Sequence, residues 1–260
     1  MTILDAILLG LTQGLSEFLP VSSSGHLVIA QALLGLHQKG LLFEVSVHVA
    51  TLVSVLVFYR RRVAELLVGV LTREPDAWRY VAKLAVASLP AVIAVLAIGD
   101  FLEAQFEHPA VTGLCLLVTG VALWTTRHTA PGASQLEPGW LAAFWIGCAQ
   151  AVAILPGISR SGATVAAALA LGVRPIAAAE FSFLMSVIAI SGAAARQLFE
   201  LEPVAAGELA ALLWGGVAAM LSGLAAIWLF VRLLRGLLFY RFAYYTWAVG
   251  LAFLIWLALA

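Results

Sequence analysis

Apolar runs long enough to cross a lipid bilayer recur along nearly the whole of this 260-residue chain. About 17 to 25 helical residues span a hydrocarbon core of ~30 Å. The segments 43–59, 80–98, 110–126, 178–199, 206–231 and 242–260 meet that length and predict six transmembrane helices. Backbone polar groups in lipid must pair within their own segment, so the expected fold class is an all-α, polytopic integral membrane protein. The connections are short, and only 11% of residues are charged against about 25% in an ordinary soluble domain. No soluble domain is left over, and residues 1–260 read as one membrane domain. The balance of 14 basic and 14 acidic residues gives no surplus that would attract nucleic acid. Cys115 and Cys148 lie in apolar runs without metal-site spacing and read as packing residues. The N-terminal segment lacks the basic flank and cleavage site of a removable signal.

A repeat organises these segments at an offset of 136 to 137 residues. Gln13 recurs as Gln150, Leu19-Pro20 as Leu155-Pro156, and Ser22-Ser23-Ser24-Gly25 as Ser159-Arg160-Ser161-Gly162. The register continues through Val28, Ala30, Leu34 and Gly35, matched by Val165, Ala167, Leu171 and Gly172, to Glu44-x-Ser46 and Glu180-x-Ser182. Repeat one covers 1–130 and repeat two 137–260. In each copy an apolar helix meets a proline, then a Ser/Gly cluster, then a second helix too short to span. Two re-entrant hairpins are therefore expected, with their breaks facing each other inside the bundle, where irregular backbone can be satisfied.

Three full spans follow each hairpin, and an odd number per half predicts an inverted-topology repeat. The charges agree. With 60–79 in the cytoplasm, Arg60, Arg61, Arg62, Arg73, Arg79, Lys83, Arg127, Arg174, Arg232, Arg235 and Arg241 share that side. Asp100, Glu103, Glu107, Glu200, Glu202 and Glu208 fall outside, as do both termini. Tyr59, Trp78, Tyr80, Tyr240 and Tyr244 sit where an inner aromatic belt belongs.

Ionisable residues inside membrane segments read as functional by default. Gln13 and Glu17 are four apart and share a helical face leading to Pro20. Beyond that proline, Ser22, Ser23, Ser24 and Gly25 open a new helix whose free N–H groups suit an anion, and His26 follows. The second break supplies Ser159, Arg160, Ser161 and Thr164, adding hydroxyls and a guanidinium that can grip phosphate oxygens in two places. A carboxylate, a histidine and hydroxyls on one hairpin, with positive charge on the other, describe phosphoryl transfer to serine or water. The bland readings are N-caps for the serines and core hydrogen bonds for Glu17 and His26. Their coincidence at two related breaks argues against those. Glu44 and Glu180 recur near the start of a span and read as support. His48 could simply bond Glu44, and His37, His108 and His128 carry no assignment.

The motifs Gln13-x-x-x-Glu17-Phe-Leu-Pro-Val-Ser-Ser-Ser-Gly-His26 and Pro156-Gly-Ile-Ser-Arg160-Ser-Gly-Ala-Thr164 closely resemble those of bacterial undecaprenyl-diphosphatases. The resemblance spans the chain and includes Phe43-Glu44 and Glu180-Phe181-Ser182. It implies removal of the terminal phosphate of undecaprenyl pyrophosphate, recycling of the lipid carrier for peptidoglycan synthesis, bacitracin resistance, and a pocket on the outer side of the bacterial cytoplasmic membrane. It further implies Ser23 as nucleophile, His26 as catalytic histidine, Arg160 as phosphate ligand and Glu17 as a carboxylate of the site. Gln13, Ser22, Ser24, Gly25, Ser159, Ser161 and Thr164 are the expected substrate contacts. Many family members have glutamate where this chain has Gln13, which weakens a two-carboxylate metal site. A divalent cation, Mg²⁺ or Ca²⁺, near Glu17 is implied by the resemblance only. The rival reading is a polyprenyl-phosphate transporter or flippase, since inverted repeats with broken helices also build carriers. An intramembrane serine protease fits less well, because an arginine at the break suits phosphate better than a peptide carbonyl. Homo-oligomerisation stays open.

Overall fold

Glycine lets the first helix lie directly on a helix more than two hundred residues away, and that contact sets the frame for the site. In the computed structural model, which describes residues 1–26, 41–197 and 209–259, α1 (Ile3–Phe18) packs along α9 (Leu209–Arg235). A Cβ on Gly10 would stand 2.2 Å from the Gly215 carbonyl oxygen, and one on Gly14 would stand 2.3 Å from that of Ala219. Only hydrogen fits there. Small residues of this kind bring membrane helices into backbone contact.

Between these two lie α2 (Leu41–Phe58), α3 (Arg60–Leu71), α4 (Pro75–Ala104), α5 (Pro109–Thr129), α6 (Trp140–Val152), α7 (Arg160–Ala170) and α8 (Pro175–Gln197). The last described helix is α10 (Phe242–Leu259). Among the described residues the chain is all-α, with a single isolated bridge between Gln135 and Val173. Among the described residues, five helical stretches are long and apolar enough to cross a membrane: Pro75–Ala104, Pro109–Gly132, Pro175–Ala195, Leu209–Arg235 and Phe239–Leu259. They match five of the six expected spans. The sixth expected span, 43–59, is α2, an apolar helix of 18 residues.

Two features depart from the sequence reading. The segment 60–79 is not a plain connection, because α3 fills its first half. Leu66 and Gly69 turn inward from α3 while Arg60 and Arg61 stay outward, and this amphipathic pattern was masked by the run of arginines. Beyond it, α4 begins at Pro75, a residue suited to a first helical position, and bends at Ile98 where φ is −138° and ψ 28°. The first hairpin beyond His26, including Gly35, lies outside the described residues. So do His37, Lys39, Glu200, Glu202 and Glu208, and the side chains of Glu44, Glu107 and Arg196.

Buried phenylalanines tie the first break to the second half. Phe18, at the end of α1, meets Phe183 of α8 edge-on at 5.6 Å between centroids. Phe183 meets Phe230 of α9 at 5.0 Å, and Phe230 meets Phe239 at 5.0 Å. Such edge-to-face contacts are directional, so this ladder fixes the rotation of α1 and thereby the direction of the adjacent Glu17.

Candidate active site

The helical path of α1 stops at Leu19, whose ψ of 146° turns the chain out of the helix before Pro20. Ser22 then adopts φ 69°, a left-handed conformation uncommon outside glycine, and helical backbone restarts at Ser23. The second break runs from Ala153 to Ser159. Its turn is made by Gly157 at φ 94°, where any side chain would also strike the Thr112 carbonyl. Thr119 of α5 clamps this turn: its hydroxyl donates to the Gly157 carbonyl at 2.9 Å and accepts from the Ser159 amide at 3.0 Å. Ser159 then caps α7, accepting from the Gly162 amide at 3.1 Å. Arg160, at the position equivalent to Ser23 in the repeat, begins α7, and Ser23 begins the four residues of helical backbone described after the first break.

The breaks touch. The Ser161 hydroxyl reaches the Leu19 carbonyl at 3.4 Å, and Glu17 receives both helix starts. Arg160 Nη2 donates to Glu17 Oε1 at 2.7 Å, and the Ser23 hydroxyl donates to Oε2 at 2.6 Å. Gln13 Nε2 donates to the same Oε2 at 2.9 Å. The Glu17 side chain is 7% exposed and that of Arg160 18%, so the pair is largely removed from water. A buried carboxylate of this sort requires a cation, and removing either partner strands the other.

A cavity of about 330 Å³ opens over these groups, lined by Glu17, Ser22, Ser23, Ser24, Ser159 and Arg160. Its upper wall comes from Phe106 and from the last turns of α8 at Ala189, Ile190, Ala193 and Ala194. It holds hydroxyls, one carboxylate, one guanidinium and the starts of two helices, a set that can bind a phosphate and offer it a nucleophile.

Not every expected residue faces this cavity. Gln13 is buried behind Glu17, with its own Oε1 left without a partner, as are both amide atoms of Gln150. Ser161 and Thr164 are buried; the Thr164 hydroxyl lies 2.6 Å from that of Ser182 on α8 and accounts for packing rather than the cavity surface. Gly25 packs toward Thr112. His26 points to the opposite side of the break. Its Nδ1 lies 2.9 Å from the Ser22 carbonyl and its Nε2 2.7 Å from the Tyr245 hydroxyl. A carbonyl only accepts, so in the neutral ring Nδ1 carries the proton and Tyr245 donates to Nε2. Neither nitrogen contacts Ser23.

His48 takes a place that sequence reasoning left empty. It lines the cavity, with Nε2 4.0 Å from Glu17 Oε2. The signal was present, an ionisable residue inside an apolar span, but the nearer Glu44 drew the interpretation. Thr119 and Tyr245 were missed because a threonine or tyrosine in a span carries no mark of its partner.

Glu17 is also the expected divalent-cation ligand. Its Oε1 is held by Arg160 and its Oε2 by Ser23 and Gln13, and no three His, Cys, Asp or Glu side chains cluster among the described residues. In this arrangement both Glu17 oxygens are engaged by protein groups, so a divalent cation here would have to be held chiefly by phosphate oxygens and water.

The model of the family described as bacitracin resistance protein BacA matches residues 6–252. The chain belongs to the BacA family. Several BacA-like relatives align over nearly their whole length. A protein of Syntrophotalea carbinolica named undecaprenyl-diphosphatase is 42% identical, with 96% of this chain and 97% of the relative covered. Proteins of the same name from Carboxydothermus hydrogenoformans and Desulforapulum autotrophicum are 39% and 37% identical, covering 96% and 98% of both chains respectively. The BacA match encloses both breaks and all the residues of the cavity.

Proposed function

We infer that this BacA-family membrane protein hydrolyses undecaprenyl pyrophosphate to undecaprenyl phosphate and inorganic phosphate, recycling the lipid carrier for cell-wall synthesis and giving bacitracin resistance. The names of its relatives support the activity. The observation that carries it is the meeting of Ser23 and Arg160 on one carboxylate, Glu17. A transporter or flippase is not favoured: its relatives are named as phosphatases, and a carrier has no use for a hydroxyl bonded to a carboxylate beside an arginine.

Incoming pyrophosphate competes with Glu17 for Arg160, whose planar fork suits two phosphate oxygens. Amides at the starts of the two half-helices add donors. Ser23 Oγ then attacks the terminal phosphorus. A Ser–O–P bond forms, the bridging P–O bond breaks, and its electron pair leaves with undecaprenyl phosphate. The hydroxyl proton passes to Glu17 Oε2, already its hydrogen-bond acceptor, and a carboxylate that has given up its guanidinium to substrate accepts a proton more readily. Water next attacks the phosphoserine, restoring Ser23 and releasing phosphate, with His48 beside Glu17 to share the proton. The role implied for His26 takes a narrower form, holding the left-handed Ser22 turn that aims Ser23.

The cavity is lined by Phe106 and by the last turns of α8, close in sequence to the acidic Asp100 and Glu103, whereas Arg60, Arg61, Arg62, Arg232, Arg235 and Arg241 lie at the other helix ends. The positive-inside rule supports reading its mouth as facing the outer side of the bacterial cytoplasmic membrane. Repeats 1–130 and 137–260 then enter the membrane in opposite senses within one domain, one hairpin bringing the nucleophile and the other the arginine. Purified protein given undecaprenyl pyrophosphate in detergent tests the reading. Phosphate release, with a phosphoserine trapped at residue 23, is expected. Tight binding without release would mean a carrier instead, and release with no phosphoserine would mean direct attack by water.

A further inference from the structure

A second cavity, larger than the first at about 560 Å³, lies on the other side of the Pro20 break. Its walls are apolar: Leu15, Leu19 and Val21 from the first break, and Leu233, Leu238 and Phe242 from the corner between α9 and α10. Ser16 lines both cavities, so the two stand back to back across α1. Apart from His26, which holds the Ser22 turn, the proposed reaction uses nothing on this side.

The polar groups of the second cavity fall into two kinds. Four of them are already paired: Thr12 and Ser16 bond to backbone carbonyls one turn earlier, and His26 and Tyr245 bond to each other. Arg241, which also lines the cavity, has no carboxylate within ion-pair distance among the described residues, and neither do Arg232 and Arg235 at the end of α9. An uncompensated cation lining an apolar slot asks for a ligand with an anionic head and a hydrocarbon body. The level of Arg241 identifies the source. Tyr240 and Tyr244, next to it in sequence, pack on Trp124 at 5.7 and 5.6 Å, and Arg127 lies 5.3 Å over that same ring. Clustered aromatic and basic side chains of this type sit at the lipid headgroups. Basic pockets between transmembrane helices at that level bind anionic lipid heads.

We propose that this cavity is a binding site for an anionic phospholipid, with the phosphate on Arg241 and an acyl chain between α1 and the α9–α10 corner. The part of the acyl chain nearest the headgroup would lie against Tyr245, which holds His26, which in turn holds the Ser22 carbonyl directly before the nucleophile. Occupancy of the second cavity therefore steadies the turn that aims Ser23, and the rate of phosphate release rises with anionic lipid in the membrane.

The test uses the full chain in vesicles of phosphatidylcholine, with or without phosphatidylglycerol. Lipid retention is read by native mass spectrometry and phosphate release is read in the same vesicles. Wild type should retain phosphatidylglycerol in preference to phosphatidylcholine, and Arg241→Gln should lower that preference about tenfold. Leu15→Trp, which fills the slot from a lipid-facing position and so spares the core, should weaken retention of both lipids. The stimulation by phosphatidylglycerol, taken as a ratio within each variant, should fall in both variants. Equal preference in wild type and Arg241→Gln overturns the site. Arg241-dependent retention with no stimulation overturns the link to the Ser22 turn. Displacement of phosphatidylglycerol by undecaprenyl phosphate at equal concentration overturns the phospholipid as occupant. Retention is measured without turnover, so absence of phosphate release in every membrane would contradict the phosphatase reading and leave the lipid-site result standing by itself.

Discussion

Arg160 and Glu17, 143 residues apart in the chain, meet through Nη2 and Oε1 at 2.7 Å in a setting largely closed to water. The pair joins the two breaks of the molecule. Removing Arg160 alone strands a buried carboxylate, a loss that costs about 3 to 5 kcal/mol in comparable pairs. Arg160→Ala should therefore lower the thermal midpoint in detergent more than the double variant Glu17→Gln/Arg160→Ala does. A double variant as unstable as the single would show that the pair contributes only as separate residues. Phosphate release should fall about 100-fold or more in Arg160→Ala, and Arg160→Lys should restore only part because an ammonium cannot grip two oxygens in a fixed plane.

Thr119 tests whether the second break must be held rigid. Thr119→Val keeps the shape but removes the donor to Gly157 and the acceptor for the Ser159 amide, leaving a buried N–H unpaired at a cost of about 1 to 3 kcal/mol. Reduced kcat is expected in Thr119→Val, read by steady-state phosphate release, with Thr119→Ser close to wild type because its hydroxyl keeps both bonds.

The Gly14 contact with α9 leaves no room for a side chain, whereas Gly99 on α4 has nothing within 4 Å of where its Cβ would be. Gly14→Leu should abolish a monodisperse peak in detergent chromatography, and Gly99→Leu should leave it unchanged. Equal tolerance at both positions would contradict the α1–α9 packing.

His48 and His26 should separate in their effects. His48 lines the reaction cavity, so His48→Ala should lower phosphate release at saturating substrate by about tenfold or more, in the range of a lost proton-transfer partner. His26 acts through the Ser22 turn with Tyr245 as its donor, so Tyr245→Phe should reduce the rate in the same direction as His26→Ala but by less. A Tyr245→Phe variant indistinguishable from wild type beside an inactive His26→Ala would show that His26 works without that bond.

Much of this arrangement is legible in the residues. Glu17, Ser23 and Arg160 stand out because charge and hydroxyl clusters are costly in apolar runs, and the repeat places them at equivalent breaks before any coordinates are known. Long apolar helices are legible for the same reason, since lipid leaves the backbone few alternatives. What escapes is orientation. His26 follows the serines in sequence, yet the helical restart at Ser23 carries it to the far side of the break, toward Tyr245. Thr164 belongs to the motif, yet it faces Ser182, and His48 enters the site from a helix whose sequence gives no register relative to α1. Helix α3 was hidden because three successive arginines obscure its inward face. These relations are set by how helices rotate against one another, and the Phe18–Phe183–Phe230 ladder that fixes the rotation has no periodic signature.

Phosphate release from undecaprenyl pyrophosphate by purified wild type beside Ser23→Ala, each shown to be folded, tests the central claim most directly. Wild type is predicted to release phosphate, and Ser23→Ala to fall about 1,000-fold or more, as variants lacking the nucleophile of a covalent mechanism do. Release by Ser23→Ala at the wild-type rate would contradict the account.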